Sequence, residues 1–198
     1  MKNVLKALAA FLVLGAAQAA QATPIQFRAI LSGSNEFPAN ASPGFGQATV
    51  FIDSTANTMQ VDVFFGGLTG TTTASHIHCC LASPFLSGVN VGVATTTPTF
   101  TNFPLGVTSG TYSHLFDMTL ASSYNASFIT NNGGTPLSAE AALFAGIEAG
   151  ETYLNIHTSA FPGGEIRGFL TLVPEPVTLS VFSAGLAGAV LLRRRRKA

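Results

Sequence analysis

Three stretches of the chain alternate apolar and polar side chains with a period of two. Ile25, Phe27 and Ala29 interleave with Gln26 and Arg28; Ala48, Val50 and Ile52 interleave with Thr49, Phe51 and Asp53; and Met59, Val61, Val63 and Phe65 interleave with Gln60, Asp62 and Phe64. Successive side chains of a strand point to opposite faces, so this pattern predicts half-buried strands that share one core. Asp53-Ser54-Thr55-Ala56-Asn57 separates two of them and predicts a hairpin connection. Further strands are expected at 74–79, 90–94, 110–120, 152–158 and 165–173, giving about eight in all. The expected fold class is all-β: an antiparallel, Greek-key-like sandwich or barrel.

Two segments depart from the alternation. Ser138 precedes a run, 139–149, that places Leu143, Phe144 and Ile147 on one stripe and ends at Gly150, which predicts a short helix. A second is expected over 122–130, where Tyr124 and Phe128 are four apart and Asn131-Asn132-Gly133-Gly134 supplies a stop.

Both ends of the chain read as sorting segments. Lys2 and Lys6 precede an uncharged run from Ala7 to Ala17, followed by Ala17-Gln18-Ala19 and Ala20-Gln21-Ala22, the layout of a secretory signal peptide spanning 1–22. At the other end, Pro174-Glu175-Pro176 leads into sixteen uncharged residues, 177–192, and then Arg193, Arg194, Arg195, Arg196 and Lys197. An apolar helix closed by a basic cluster is retained with its positive end in the cytoplasm. This segment, 174–198, resembles the PEP-CTERM sorting signals. That resemblance implies a temporary membrane tether and an exosortase-type membrane protease as partner.

Residues 23–173 are then expected to form a single domain. They keep only Arg28 and Arg167 as cations against eight acids (Glu36, Asp53, Asp62, Asp117, Glu140, Glu148, Glu151 and Glu165), a formal charge of −6. Such a surface lacks the basic footprint that holds phosphate backbones, so nucleic-acid binding is not expected.

Several separated stretches stand out along the chain: Phe27-Arg28-Ala29-Ile30-Leu31-Ser32-Gly33 with Glu36, Gly66-Gly67-Leu68-Thr69-Gly70, Ala74-Ser75-His76-Ile77-His78, Tyr153-Leu154-Asn155-Ile156-His157-Thr158, and Pro162-Gly163-Gly164-Glu165-Ile166-Arg167-Gly168. Together they resemble the CHRD domain, found in chordin and in many bacterial secreted proteins. The resemblance implies an all-β extracellular module and supplies no enzymatic activity.

His76 and His78 are two apart and project from one strand face, and His157 stands in the same relation to Asn155. If the two strands lie together, three imidazoles converge and suit a transition metal such as zinc or copper. The other reading of these histidines is structural, with rings donating to backbone carbonyls or to Glu165. Cys79 and Cys80 follow directly: extra metal ligands, a vicinal disulfide, an intermolecular bridge and free buried thiols all remain open. Arg167 is expected to pair with Glu165 or Glu36. His114 is expected in a solvent or core position, and Asp53 and Asp62 on a solvated face.

No phosphate cradle, nucleophile elbow or complete catalytic constellation is visible. The main expectation is an exported, non-enzymatic binding or structural module of the cell envelope or extracellular matrix, with extracellular polysaccharide or surface proteins as partners. The alternative is a metal-binding domain with storage, scavenging or redox chemistry.

Overall fold

The computed structural model describes residues 23–174. The expected signal peptide and everything beyond Pro174, including the apolar segment 177–192 and the arginine cluster, lie outside the described residues.

Eight antiparallel strands form one curled sheet, a half-barrel, rather than two stacked sheets. They are β1 Ile25–Ser32, β2 Phe45–Asp53, β3 Thr58–Gly66, β4 Thr72–His78, β5 Gly110–Asp117, β6 Tyr153–Thr158, β7 Ile166–Phe169 and β8 Thr171–Leu172. The order across the sheet is β4-β6-β7-β1-β2-β3-β5, with β8 pairing beside β7 on β1. β1, β2 and β3 form a meander whose register sets Val50 against both Phe27 and Val61. The alternation therefore resolves as expected: Phe27, Ala29, Leu31, Ala48, Val50, Ile52, Met59, Val61, Val63 and Phe65 are buried on the inner face. The chain then crosses to the far edge to form β4 and returns to place β5 beside β3.

The helix at 139–149 begins earlier than expected, as α2, Pro136–Glu148. Thr135, not Ser138, is the N-cap. Ser138 sits three residues in and reciprocates, each side chain meeting the other residue's backbone, while Pro136 occupies the first turn, where no N–H is required. The Leu143, Phe144 and Ile147 stripe enters the same core as the sheet's inner face. The second helix, α1, is confined to Ala126–Asn131, because the Asn125 side chain caps Ser127 N and the preceding residues Ala121–Ser123 form a 3-10 turn. Tyr124 consequently lies before the helix.

Two strand expectations are corrected. Residues 90–94 do not form a strand: only an isolated bridge, His78 to Val93, is made there. The segment follows the outer edge of β4 through Cys79 N to Gly92 O and Ala94 N to Ile77 O, while the Asn90 side chain is drawn away to Arg167. The stretch 165–173 is split into β7 and β8 at Leu170, whose N–H turns to the Thr152 carbonyl.

Candidate metal centre

In β4, β6 and β7 the inner face is apolar (Ile77, Leu154, Ile156, Ile166) except for the buried Ser75, and the outer face carries His76, His78, Asn155, His157 and Arg167. The pairing His76↔Asn155↔Arg167 and His78↔Tyr153↔Phe169 places these side chains in rows across three strands, with His157 opposite Ala74. An outward-facing row would ordinarily be wet, yet His76, His78, Asn155 and Arg167 are all buried. The cover is made of loops: 33–36 and 87–91 close over β7 and β6, and Pro98 and Pro162 approach from either side.

Arg167 fastens this cover. Its Nε donates to the Asn35 carbonyl, and its terminal nitrogens donate to Ser87 O at 2.7 Å, Asn90 Oδ1 at 2.9 Å and Val89 O at 3.2 Å. The guanidinium also lies 4.6 Å from the centre of the Tyr153 ring, close enough for a cation–π contact. Of the two expected acidic partners it takes Glu36, at 3.9 Å, and not Glu165. Burial pushes the Glu36 carboxyl up to about 7, opposed by the Arg167 charge.

Glu165 has a different task. Its carboxylate accepts from Thr69 N at 2.5 Å, Gly70 N at 3.2 Å, Ser42 Oγ at 2.5 Å and Thr158 Oγ1 at 2.5 Å, tying three distant segments together. Burial alone would raise its pKa, but these hydrogen bonds outweigh it and hold the group below the usual carboxylate value. The Gly66–Gly70 and Gly163–Gly168 stretches are therefore explained by architecture.

The three histidines converge as expected. Ring centroids lie 5.2 Å apart for His76 and His157, 5.8 Å for His76 and His78, and 6.3 Å for His78 and His157. Each ring uses one nitrogen on a backbone carbonyl: His76 Nε2 on Pro98 O at 2.5 Å, His78 Nδ1 on Val91 O at 2.7 Å, and His157 Nδ1 on Pro162 O at 2.8 Å. A carbonyl accepts only, so each of those nitrogens carries the proton. The opposite atoms, His76 Nδ1, His78 Nε2 and His157 Nε2, are buried lone pairs with no hydrogen-bond partner. One ligand atom from each ring lies within 4.8 Å of the others. The expected backbone-carbonyl contacts are made, and they fix the tautomer that leaves the other ring nitrogen of each histidine without a partner.

Burial lowers the pKa of all three imidazoles, against the opposing pull of their carbonyl partners, and takes His78 to about 4. They are neutral donors at ordinary pH, the form a zinc or copper ion accepts. Cys79 and Cys80 are bonded to each other, so neither offers a thiolate to the cluster. His114 stands apart on β5, on the core side, edge-on to Phe116 at 4.5 Å. Asp53 caps the β2–β3 turn by accepting from Thr55 and Ala56 N–H, and Asp62 accepts from Gln60 on the outer face.

Two participants escape a reading of histidine spacing alone. Asn155, directly across from His76, is buried with its Oδ1 unpartnered on the same face. Tyr153 stacks on His78. The signal available was the period-two series Tyr153, Asn155, His157, which puts all three on one side of a strand.

The family model of the CHRD domain matches residues 27–170, which contain the whole sheet save its first and last two residues, and every residue of the cluster. No curated protein and no solved structure gives a significant match.

Proposed function

The chain belongs to the CHRD-domain family, whose members are typically extracellular or secreted, and from that premise we propose an exported binding module whose ligand is a transition-metal ion, zinc or copper, held by His76, His78 and His157. The observation that carries this reading is the set of three buried, unpartnered ring nitrogens in a cluster whose ligand atoms lie within 4.8 Å of one another. A buried acceptor without a partner costs about 1–3 kcal/mol, and three such acceptors together are stabilised by a cation at their centre. Carbonyl contacts on the far side of each ring pre-orient the donors, as second-sphere groups do in metal sites.

The test is elemental analysis of the tag-free protein beside a His76→Ala/His78→Ala/His157→Ala form. One zinc or copper per chain, absent from the triple variant, is the expected result. A metal-free protein after loading with both ions would refute the reading.

A second reading, binding of extracellular polysaccharide or a surface protein, is favoured by the same outer face toward the other edge of the sheet. There Phe45, Phe64 and Leu115 are each at least half exposed on the outer face of β2, β3 and β5, with Gln47, Gln60, Thr111 and Ser113 among them. Delivery to the envelope would follow from the signal at 1–22 and the PEP-CTERM-like end at Pro174, Glu175 and Pro176, with processing by an exosortase-type protease. Mass spectrometry of the native protein's C terminus tests this. Cleavage near Glu175 is expected, and an intact Arg193–Lys197 end on the mature surface protein would refute it.

A further inference from the structure

This inference rests on the reading of His76, His78 and His157 as a metal site and names the ion. We propose that the site is built for copper in the cuprous, +1 state, in preference to Zn2+ or Cu2+.

The argument is one of charge. All three donors are neutral imidazole nitrogens, and among the described residues no carboxylate or thiolate joins them. The cysteines are spent on each other. Glu165 is saturated by Ser42, Thr69, Gly70 and Thr158, and Glu36 faces Arg167. The full charge beside the cluster is positive: the Arg167 guanidinium is completely buried and rests on the Tyr153 ring, which is itself stacked on His78. The remaining unpartnered group on this face, Asn155 Oδ1, offers a dipole and no charge.

An ion placed here is therefore desolvated with no anion to compensate it. The solvation penalty of burying an ion grows with the square of its charge, so a dication costs roughly four times as much as a monocation in the same cavity. Zinc sites with three histidines meet this cost by keeping a fourth position for water or hydroxide. Here the donor atoms are themselves closed to solvent. A cuprous ion, with a filled d shell and one charge, is satisfied by three nitrogens and needs no fourth, anionic ligand.

The experiment is an anaerobic titration of the tag-free full chain with Cu+ supplied as its bicinchoninate complex, alongside Zn2+ and Cu2+ titrations against chromophoric competitors. One Cu+ per chain is expected, at least about a hundredfold tighter than either dication. Between the two copper states that ratio corresponds to a reduction potential about 120 mV above the aqueous couple, at 59 mV per tenfold for one electron. Two variants frame the result. His157→Ala, at the least buried of the three positions, should abolish binding while circular dichroism shows the fold retained. Asn155→Asp, which adds an anion to the face, should shift the ratio at least about tenfold toward Zn2+. If a dication binds as tightly as Cu+ and His157→Ala removes it, the cuprous assignment is overturned and the metal-site reading stands. An unchanged ratio in Asn155→Asp overturns the charge argument. If none of the three ions binds the folded chain, both readings fail.

Discussion

The phenol ring of Tyr153 lies parallel to the imidazole of His78, centroids 4.7 Å apart and planes 10° from each other. The same tyrosine's oxygen accepts from Val91 N at 3.3 Å, and Val91's carbonyl accepts from His78 Nδ1 at 2.7 Å. Ring and hydroxyl thus fix one histidine twice, by stacking and by anchoring the residue that sets its tautomer.

Tyr153→Phe keeps the stack and removes the anchor. Stability should fall by about 1 kcal/mol, the worth of one hydrogen bond, and metal affinity by about tenfold, the lower end of second-sphere effects. Tyr153→Leu should lower affinity further, because the stack is lost too. Parallel urea denaturation and metal competition measure both, and equal affinities for the wild type and Tyr153→Phe would mean that Val91 holds His78 unaided.

Glu165→Gln leaves the side chain's size unchanged and removes the charge that four donors address. Two of those donors are backbone N–H groups of Thr69 and Gly70, which have no freedom to turn elsewhere. The variant should lose about 2–4 kcal/mol, in the range for breaking a buried charged network. The wild-type pKa is held below its ordinary 4.5. The stabilisation is therefore complete above pH 4.5 and is lost as pH falls through the folded-state value. Acid denaturation should accordingly separate the wild type from the variant at neutral pH and bring them together in strong acid.

Glu36 titrates with the opposite sign. Its folded pKa of about 7 exceeds its ordinary 4.5, so between these values the folded state carries more protons than the unfolded. Stability contributed by this group is present below pH 4.5 and declines as pH rises to about 7. Glu36→Gln cannot titrate, so its stability relative to the wild type should improve across that window by on the order of 2–3 kcal/mol. Chemical denaturation at pH 4.5 and pH 8 checks this. A difference that does not change with pH would show that Arg167 keeps Glu36 ionised throughout.

The legible part of this fold is the part governed by side-chain period. β2 and β3 fall where Ala48–Ile52 and Met59–Phe65 alternate, because one face must be apolar for the sheet to bury it. The shared face of His76 and His78 was legible for the same reason, since residues two apart on a strand point the same way, whereas His157 joins them only through the pairing of β4 with β6. What period does not encode is the identity of neighbouring strands. That β4 lies beside β6, and that Arg167 reaches Asn35 and Ser87, depends on chain crossings determined by the whole core. Nor does an alternating pattern reveal a cover: the outer face of β4, β6 and β7 reads as solvated until loops 33–36 and 87–91 are placed over it. The failed strand at 90–94 is an instance, its Asn90 being engaged by an arginine 77 residues away.

The glycines of Pro162-Gly163-Gly164-Glu165-Ile166-Arg167-Gly168 separate by the space around them, and this permits a prediction with an internal control. A Cβ on Gly168 would lie 2.4 Å from the Ile30 carbonyl oxygen, a backbone atom of the adjacent strand that cannot retreat without parting β7 from β1. At Gly164 the backbone has φ of +129°, and a Cβ would sit 2.5 Å from Glu36 Oε1. Around Gly163 nothing lies within 4 Å. Gly168→Ala should therefore cost about 3 kcal/mol or more, in the class of changes that force strands apart, and should loosen Arg167, its immediate neighbour. Gly163→Ala should stay within about 0.5 kcal/mol of the wild type, as open surface sites do. Thermal denaturation of the two single variants decides it. Equal and small losses would mean that β7 can shift along β1 without penalty, and the close backbone approach would then have no part in positioning the arginine beside the histidine cluster.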